Sequence, residues 1–159
     1  MTRWRRKHER YGVPDVVDSA TRSRMMAGIR SKDTKPELVL RRALHAKGFR
    51  YRIHARDVPG KPDMVFPKYR AAVFVNGCFW HGHSCKYFRL PRTRPEFWST
   101  KISGNQARDA KVRHMLDDAG WRHLTIWECS LREKGGAEAM AESVARWLGS
   151  LSVPLKETA

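Results

Sequence analysis

Nine consecutive residues, Gly77-Cys78-Phe79-Trp80-His81-Gly82-His83-Ser84-Cys85, carry two thiols, two imidazoles and an adjacent aromatic pair. Cys78, His83 and Cys85 form a Cys-x4-His-x-Cys pattern, and Cys129 is the only further cysteine in the chain. A Cys3His set suits tetrahedral zinc with no open position, which makes a structural site. Free thiols buried as small hydrophobes are the alternative. His81 stands outside that set, and an imidazole there can take a proton from an attacking water. Asp109, further along the chain, is either the carboxylate that orients that ring or an ordinary surface acid.

Two more carboxylates have positions that could do chemistry. Asp63 follows Gly60-Lys61-Pro62 at the start of an apolar segment, where it can hold a hard divalent cation through oxygen or simply close a turn. Glu37 follows Thr34-Lys35-Pro36, so it is either the far half of a helix capping box or a group that reaches a metal or the attacking water. Phe79 and Trp80 would point in different directions on a strand and do not both fit one core. On a basic protein they can wedge into a base stack. Met26 is a second wedge candidate or a helix core residue.

These groups need a frame, and the chain's periodicities supply one. With 159 residues and 41% hydrophobic content, a single domain can bury its own core. A helix is predicted from Asp18 or Ser19 through Met25, Met26 and Ile29 to near Ser31-Lys32-Asp33. A second starts at Thr34-Lys35-Pro36-Glu37 and carries Val39, Leu40, Ala43 and Leu44 to a stop at Gly48. Phe49, Tyr51 and Ile53 alternate with Arg50, Arg52 and His54, the pattern of a strand. Asp63 to Phe66 and Ala71 to Val75 follow as two more strands around a Pro67-Lys68-Tyr69-Arg70 turn. A helical segment from Pro95, interrupted at Ser103-Gly104, leads to Gly120. A strand through Leu124, Ile126 and Trp127 ends near Cys129, and a last helix carries Met140, Val144, Trp147 and Leu148. Helices on both sides of a mixed sheet, an α/β/α sandwich, is the expected architecture. Residues 1–17 are expected as a flexible basic arm, 18–150 as one domain and 151–159 as a tail.

The net charge of +16 points to a polyanionic partner that offsets self-repulsion, with nucleic acid the usual one; a generally solvated basic surface is the alternative. No apolar stretch approaches the length of a membrane span, and Met1 to Arg10 is basic with no apolar h-region after it, so no signal peptide is expected. Three cysteines cannot all pair, so reduced thiols in the cytoplasm are expected.

Pro62-Asp63 before an apolar hairpin resembles the first half of the Pro-Asp/Asp-Glu-x-Lys nuclease signature. The second half is missing, since Ala71 to Asn76 holds neither carboxylate nor lysine. Asp18-x-x-Thr21-Arg22-Ser23-x-x-Met26, Lys35-Pro36-Glu37, Pro62-Asp63, Gly77-Cys78-Phe79-Trp80-His81 and Trp127-Glu128-Cys129 together resemble the very-short-patch repair endonucleases. Those bacterial enzymes nick beside the thymine of T·G mismatches left by deamination of 5-methylcytosine. The resemblance runs from about Asp18 to Arg132. It implies a restriction-endonuclease-like fold, with Mg2+ held by Asp63 and the backbone carbonyl of Val75 to help water attack the phosphate in line. His81 is then the general base, with Glu37 and Asp109 in support. Cys78, His83, Cys85 and Cys129 match the family's structural Zn2+ ligands. Phe79, Trp80 and Met26 match its intercalating wedge, and Lys101 and Asn105 fall where its members touch the mismatched pair. Asn76 departs from the histidine a relative has there.

The implied partner is double-stranded DNA with a T·G mismatch, with other mismatch-repair proteins alongside. A monomer suffices for one nick. A restriction-type endonuclease of the same fold acting on unmodified duplex, or a zinc-stabilised DNA-binding protein without catalysis, fits the residues as well.

Overall fold

The structure, a computed structural model, describes residues 17–150. The expected basic arm and C-terminal tail therefore fall almost wholly outside the described residues. Helix α1, Ser19–Ala27, is capped by Asp18, whose carboxylate accepts the Thr21 N–H at 2.7 Å and the Thr21 hydroxyl at 2.9 Å. It ends sooner than the periodicity suggests, because Gly28 closes it by donating to the Arg24 carbonyl. None of its residues is buried. Met26, 38% exposed, is therefore not a core residue.

Helix α2, Lys35–Ala46, starts with Pro36 in its first turn and buries Glu37, Leu40, Arg41 and Leu44 along one face. Gly48, at φ +88°, lets it stop. The Gly48 N–H reaches the His45 carbonyl and the Phe49 N–H reaches that of Leu44, a Schellman ending.

The predicted strand over 49–54 does not form. Only Arg52 pairs, with Val65, in an isolated antiparallel bridge. Phe49 and Tyr51 still pack their rings against Phe66, as a buried face should. Beyond them His54 adopts φ +54° and turns the chain away, leaving Ile53 exposed. The partner strand β1, Met64–Phe66, is also too short to carry a longer ladder.

Strand β1 runs antiparallel to β2, Ala71–Asn76, across a short 3-10 turn at Pro67–Tyr69. Strand β3, Arg122–Trp127, lies parallel on the other edge of β2, giving a mixed sheet in the order β1-β2-β3. A parallel neighbour needs a crossover. Helix α3, Pro95–Asp118, provides it as one uninterrupted helix of 24 residues. The predicted break at Ser103-Gly104 is absent: Gly104 meets nothing within 4 Å, while neighbouring Ile102 is buried and keeps the helix seated. Strand β3 stops at Trp127, and Cys129 sits instead in a short helix α4, Glu128–Arg132. Helix α5, Gly136–Gly149, follows.

Two apolar layers flank the sheet. Leu40 and Leu44 of α2, Leu131 of α4 and Ala141, Val144 and Leu148 of α5 pack on Met64, Phe66, Ala71, Val73 and Ile126. On the opposite face Leu116 and Val112 of α3 pack on Val65, Ala72 and Phe74. Alternate residues of β2 thus enter opposite cores, so the strand reads as continuously apolar. Helices lie on both sides of a mixed sheet, as expected. Among the described residues no helix is long and apolar enough to cross a membrane.

Candidate active site

The C-terminal end of β2 and the residues just before β1 open into a cleft of about 420 Å³. Asp63, Glu37, His81 and Asp109 all line it, together with Val75 and Asn76. Four sequence segments far apart in the chain therefore converge on one space.

Asp63 precedes the β1–β2 ladder, and its Oδ2 accepts the Val75 N–H at 2.6 Å, so the side chain extends the pairing beyond the strand. Burial pushes its carboxyl up to about 6, with the negative charge of Glu37 adding to the shift and the Val75 N–H and Arg41 opposing it. A raised carboxyl opposes folding once it ionises. The stability of the neutral form is fully present below about pH 3.8 and lost as pH rises through about 6. In the absence of divalent cations, Asp63→Asn should stabilise the protein by about 2 kcal/mol at pH 8 and much less at pH 4. Denaturant melts at the two pH values measure this, and an equal effect at both would contradict the assignment.

Glu37 is buried, and three donors fix it. Its Oε1 accepts the Thr34 hydroxyl at 2.8 Å, and its Oε2 accepts the Asp33 N–H at 2.9 Å and Arg41 Nη2 at 3.0 Å. This is a variant of the expected capping box, with the backbone donor one residue earlier and the threonine hydroxyl turned onto the glutamate.

His81 Nδ1 lies 2.5 Å from Asp109 Oδ2 on α3. With its Nδ1–H given to that carboxylate, the ring presents Nε2 as an acceptor, and Nε2 has no hydrogen-bond partner among the described residues. Helix α3 also holds the backbone on either side: Asn105 donates to the Trp80 carbonyl at 2.6 Å and Gln106 to the His81 carbonyl at 3.1 Å. Gly82, at φ +61°, permits this close approach, since a Cβ there would lie 2.7 Å from both Ile102 and Gln106. Such an arrangement can position an imidazole to accept a proton.

On the far side of the same loop, one ligating atom each from Cys78, His83, Cys85 and Cys129 lie within 4.8 Å of one another. Cys129 Sγ is 3.5 Å from His83 Nδ1, and the His83 ring stacks on Trp127 at 4.1 Å and 7°. Burial pushes the Cys78 thiol up to about 12, so it stays protonated unless a cation offsets its charge. Sulfurs on a tetrahedral zinc sit about 3.8 Å apart, so this donor set fits a metal ion.

Phe79 and Trp80 contact each other and both contact Trp98 of α3, with ring centroids 5.1 to 6.1 Å apart. Both remain only partly buried. Lys101 lies over the Trp80 ring at 5.7 Å, one helical turn from Asn105. From α1 it is Ile29 and Arg30 beyond its end, not Met26, that line the cleft. Lys61, Arg113 and Glu128 line it too, although their types and spacing carry no signal of their own in the sequence. Glu128 stands in Trp127-Glu128-Cys129, where only the cysteine carries an evident signal; Arg41, which donates to Glu37 and to the Asp63 carbonyl, is masked by the apolar helical face it sits in.

The fold and cleft define an α/β protein that gathers carboxylates, an imidazole–carboxylate pair and a Cys/His set able to hold a metal ion at one end of its sheet. Comparison with known proteins narrows this class. The family model described as DNA mismatch endonuclease Vsr matches residues 14–87. The chain is 43% identical over 132 residues to the type II nicking enzyme V.XorIIP of Xanthomonas oryzae pv. oryzae, covering 83% of this chain and 97% of that one. It is 43% identical over 138 residues to the DNA mismatch endonuclease Vsr of Escherichia coli K12, covering 86% and 88%. The type II nicking enzyme V.NmeAIP of Neisseria meningitidis serogroup A is 42% identical over 122 residues, covering 77% and 87%. The chain belongs to the Vsr family of DNA mismatch endonucleases.

Proposed function

We propose that this protein nicks one strand of duplex DNA 5′ of the thymine in T·G mismatches arising from deaminated 5-methylcytosine, and so starts very-short-patch repair. The observation that carries the reading is the convergence of Asp63 and the His81–Asp109 pair on one cleft, with Phe79 and Trp80 on the same loop as His81. The family and its nicking relatives support the reaction class.

Asp63 and the Val75 carbonyl offer hard oxygen donors that suit Mg2+, which when bound neutralises charge on the phosphate and the leaving oxygen. The His81 Nε2 accepts the proton of the attacking water, and Asp109 stabilises the imidazolium that forms. Glu37, fixed by its three donors, orients that water. Cys78, His83, Cys85 and Cys129 hold a structural Zn2+ that ties the loop to α4. Phe79 and Trp80, with Met26 from α1, test how easily the base step opens, and a mismatch opens more cheaply than a matched pair. Lys101 and Asn105 read the pair. The protein acts as a cytoplasmic monomer, since one nick needs one site.

The deciding experiment is a nicking assay with Mg2+ on two duplexes that differ only in T·G or C·G at one position. Nicking of the T·G strand alone is expected. Equal cutting of both would favour a restriction-type enzyme, and binding without cutting would remove catalysis. Zinc has a separate check: protein purified without chelator should carry about one equivalent, and less than about half would count against the Cys3His site.

A further inference from the structure

Arg41 is only 6% exposed, although it lies on the face of α2 that carries Leu40 and Leu44. Its Nη1 donates to Asp33 Oδ1 at 2.5 Å. Its Nη2 donates both to Glu37 Oε2 at 3.0 Å and to the backbone carbonyl of Asp63 at 3.2 Å. Its Nε finds no acceptor among the described residues. A buried guanidinium with an orphaned N–H is a poor stabiliser, and an apolar side chain of similar volume would hold the core at least as well. Its position gives it a different use. One nitrogen links the residue before β1 to the carboxylate at the start of α2, the two places from which the cleft takes Asp63 and Glu37.

We propose that Arg41 is a positioning residue that neutralises Glu37 and holds it as a water-orienting group, out of the coordination sphere of the divalent cation. This rests on the reading that Asp63 holds that cation. Without Arg41 the cleft becomes one charge more negative, and Glu37 loses one of the two donors that restrain its Oε2, the charged one, keeping only the Asp33 N–H there. Both changes draw a cation in. The carboxylate, no longer neutralised and held only by the Thr34 hydroxyl and the Asp33 N–H, then becomes a ligand where it should orient water. A single substitution thus moves two observables in opposite directions: cation binding tightens while the chemical step slows. Loss of a merely structural residue would weaken both.

The test uses Arg41→Met, which keeps the apolar volume, and Arg41→Gln, which removes the charge but keeps a donor for Glu37. Mn2+ binding to the full chain without DNA is read from loss of the free-ion EPR signal, and nicking is read in single turnovers on a T·G duplex. Arg41→Met should bind Mn2+ about 5-fold more tightly, as one extra unit of charge nearby predicts. It should nick about 10- to 100-fold more slowly. Arg41→Gln should share the tighter binding and recover part of the rate, and it carries the test if the methionine variant does not fold. In Glu37→Gln/Arg41→Met the gain in affinity should disappear. Weaker or unchanged Mn2+ binding in both single variants, while Asp63→Ala abolishes it, would overturn the role of Arg41 and leave the site reading standing. Mn2+ binding to Asp63→Ala as tight as to the parent would instead overturn the site reading.

Discussion

Asp63→Ala should reduce T·G nicking by about 1,000-fold or more while leaving DNA binding in place, because in the proposed mechanism that carboxylate holds the metal ion, whose transition-state stabilisation is worth several kcal/mol. The fold should not suffer. The Asp63 carboxyl is pushed up to about 6 mainly by burial, so its removal relieves a destabilising charge above that pH. The hydrogen bond it accepts from the Val75 N–H at 2.6 Å is lost, but Val75 lines the cleft, where water can replace the acceptor. Affinity for DNA is expected to come instead from a chain with 32 lysines and arginines against 16 acids, a balance that one neutral substitution hardly alters. The measurement is a pair: single-turnover nicking at saturating Mg2+ and equilibrium binding to the same T·G duplex. Full activity in Asp63→Ala would remove the proposed mechanism altogether.

The parts of this site that sequence reveals are those set by local pattern. Thr34-x-x-Glu37 marks a helix start, and the apolar run at Ala71 to Val75 marks a strand buried on both faces; both elements are present. The Cys-x4-His-x-Cys run, with Cys129, names its four members because no other cysteine competes, and the fold brings all four together. Where local pattern misleads, a longer-range constraint wins. Phe49 to His54 alternates like a strand, yet its neighbour β1 has only three residues to pair with. Ser103-Gly104 reads as a break, yet α3 is seated along its length by Ile102 and Leu116 and runs through it. Met26 looks like half of an apolar helix face, but α1 buries nothing. The contact between His81 and Asp109, 28 residues apart, depends on how α3 crosses back over the sheet, and nothing in the spacing fixes that. Arg41 is the extreme case: a cation in an amphipathic helix reads as solvent-facing, and only the fold reveals that three acceptors surround it.

His81 and His83, separated by one glycine, should fail in different ways. His81→Ala should slow nicking by about 100- to 10,000-fold, the range a positioned general base contributes, with Zn2+ content unchanged. His83→Ala should lose the metal first and activity as a consequence, because its Nδ1 sits 3.5 Å from Cys129 Sγ within the Cys/His set. The division follows from where each ring is held. His81 is paired with Asp109 on α3, and the carbonyls on either side of its peptide are gripped by Asn105 and Gln106, whereas His83 is stacked on Trp127 at the end of β3. Asp109→Asn should reduce the rate less than His81→Ala, since the imidazole remains but loses both its preferred tautomer and the charge that stabilises its protonated form. If the two act as a unit, His81→Ala/Asp109→Asn will be no slower than His81→Ala alone. Multiplicative losses in the double variant would mean that Asp109 acts on something other than His81. Zinc loss on His81→Ala would mean that the loop does not keep its two histidines apart, and that the base and the clamp are one site.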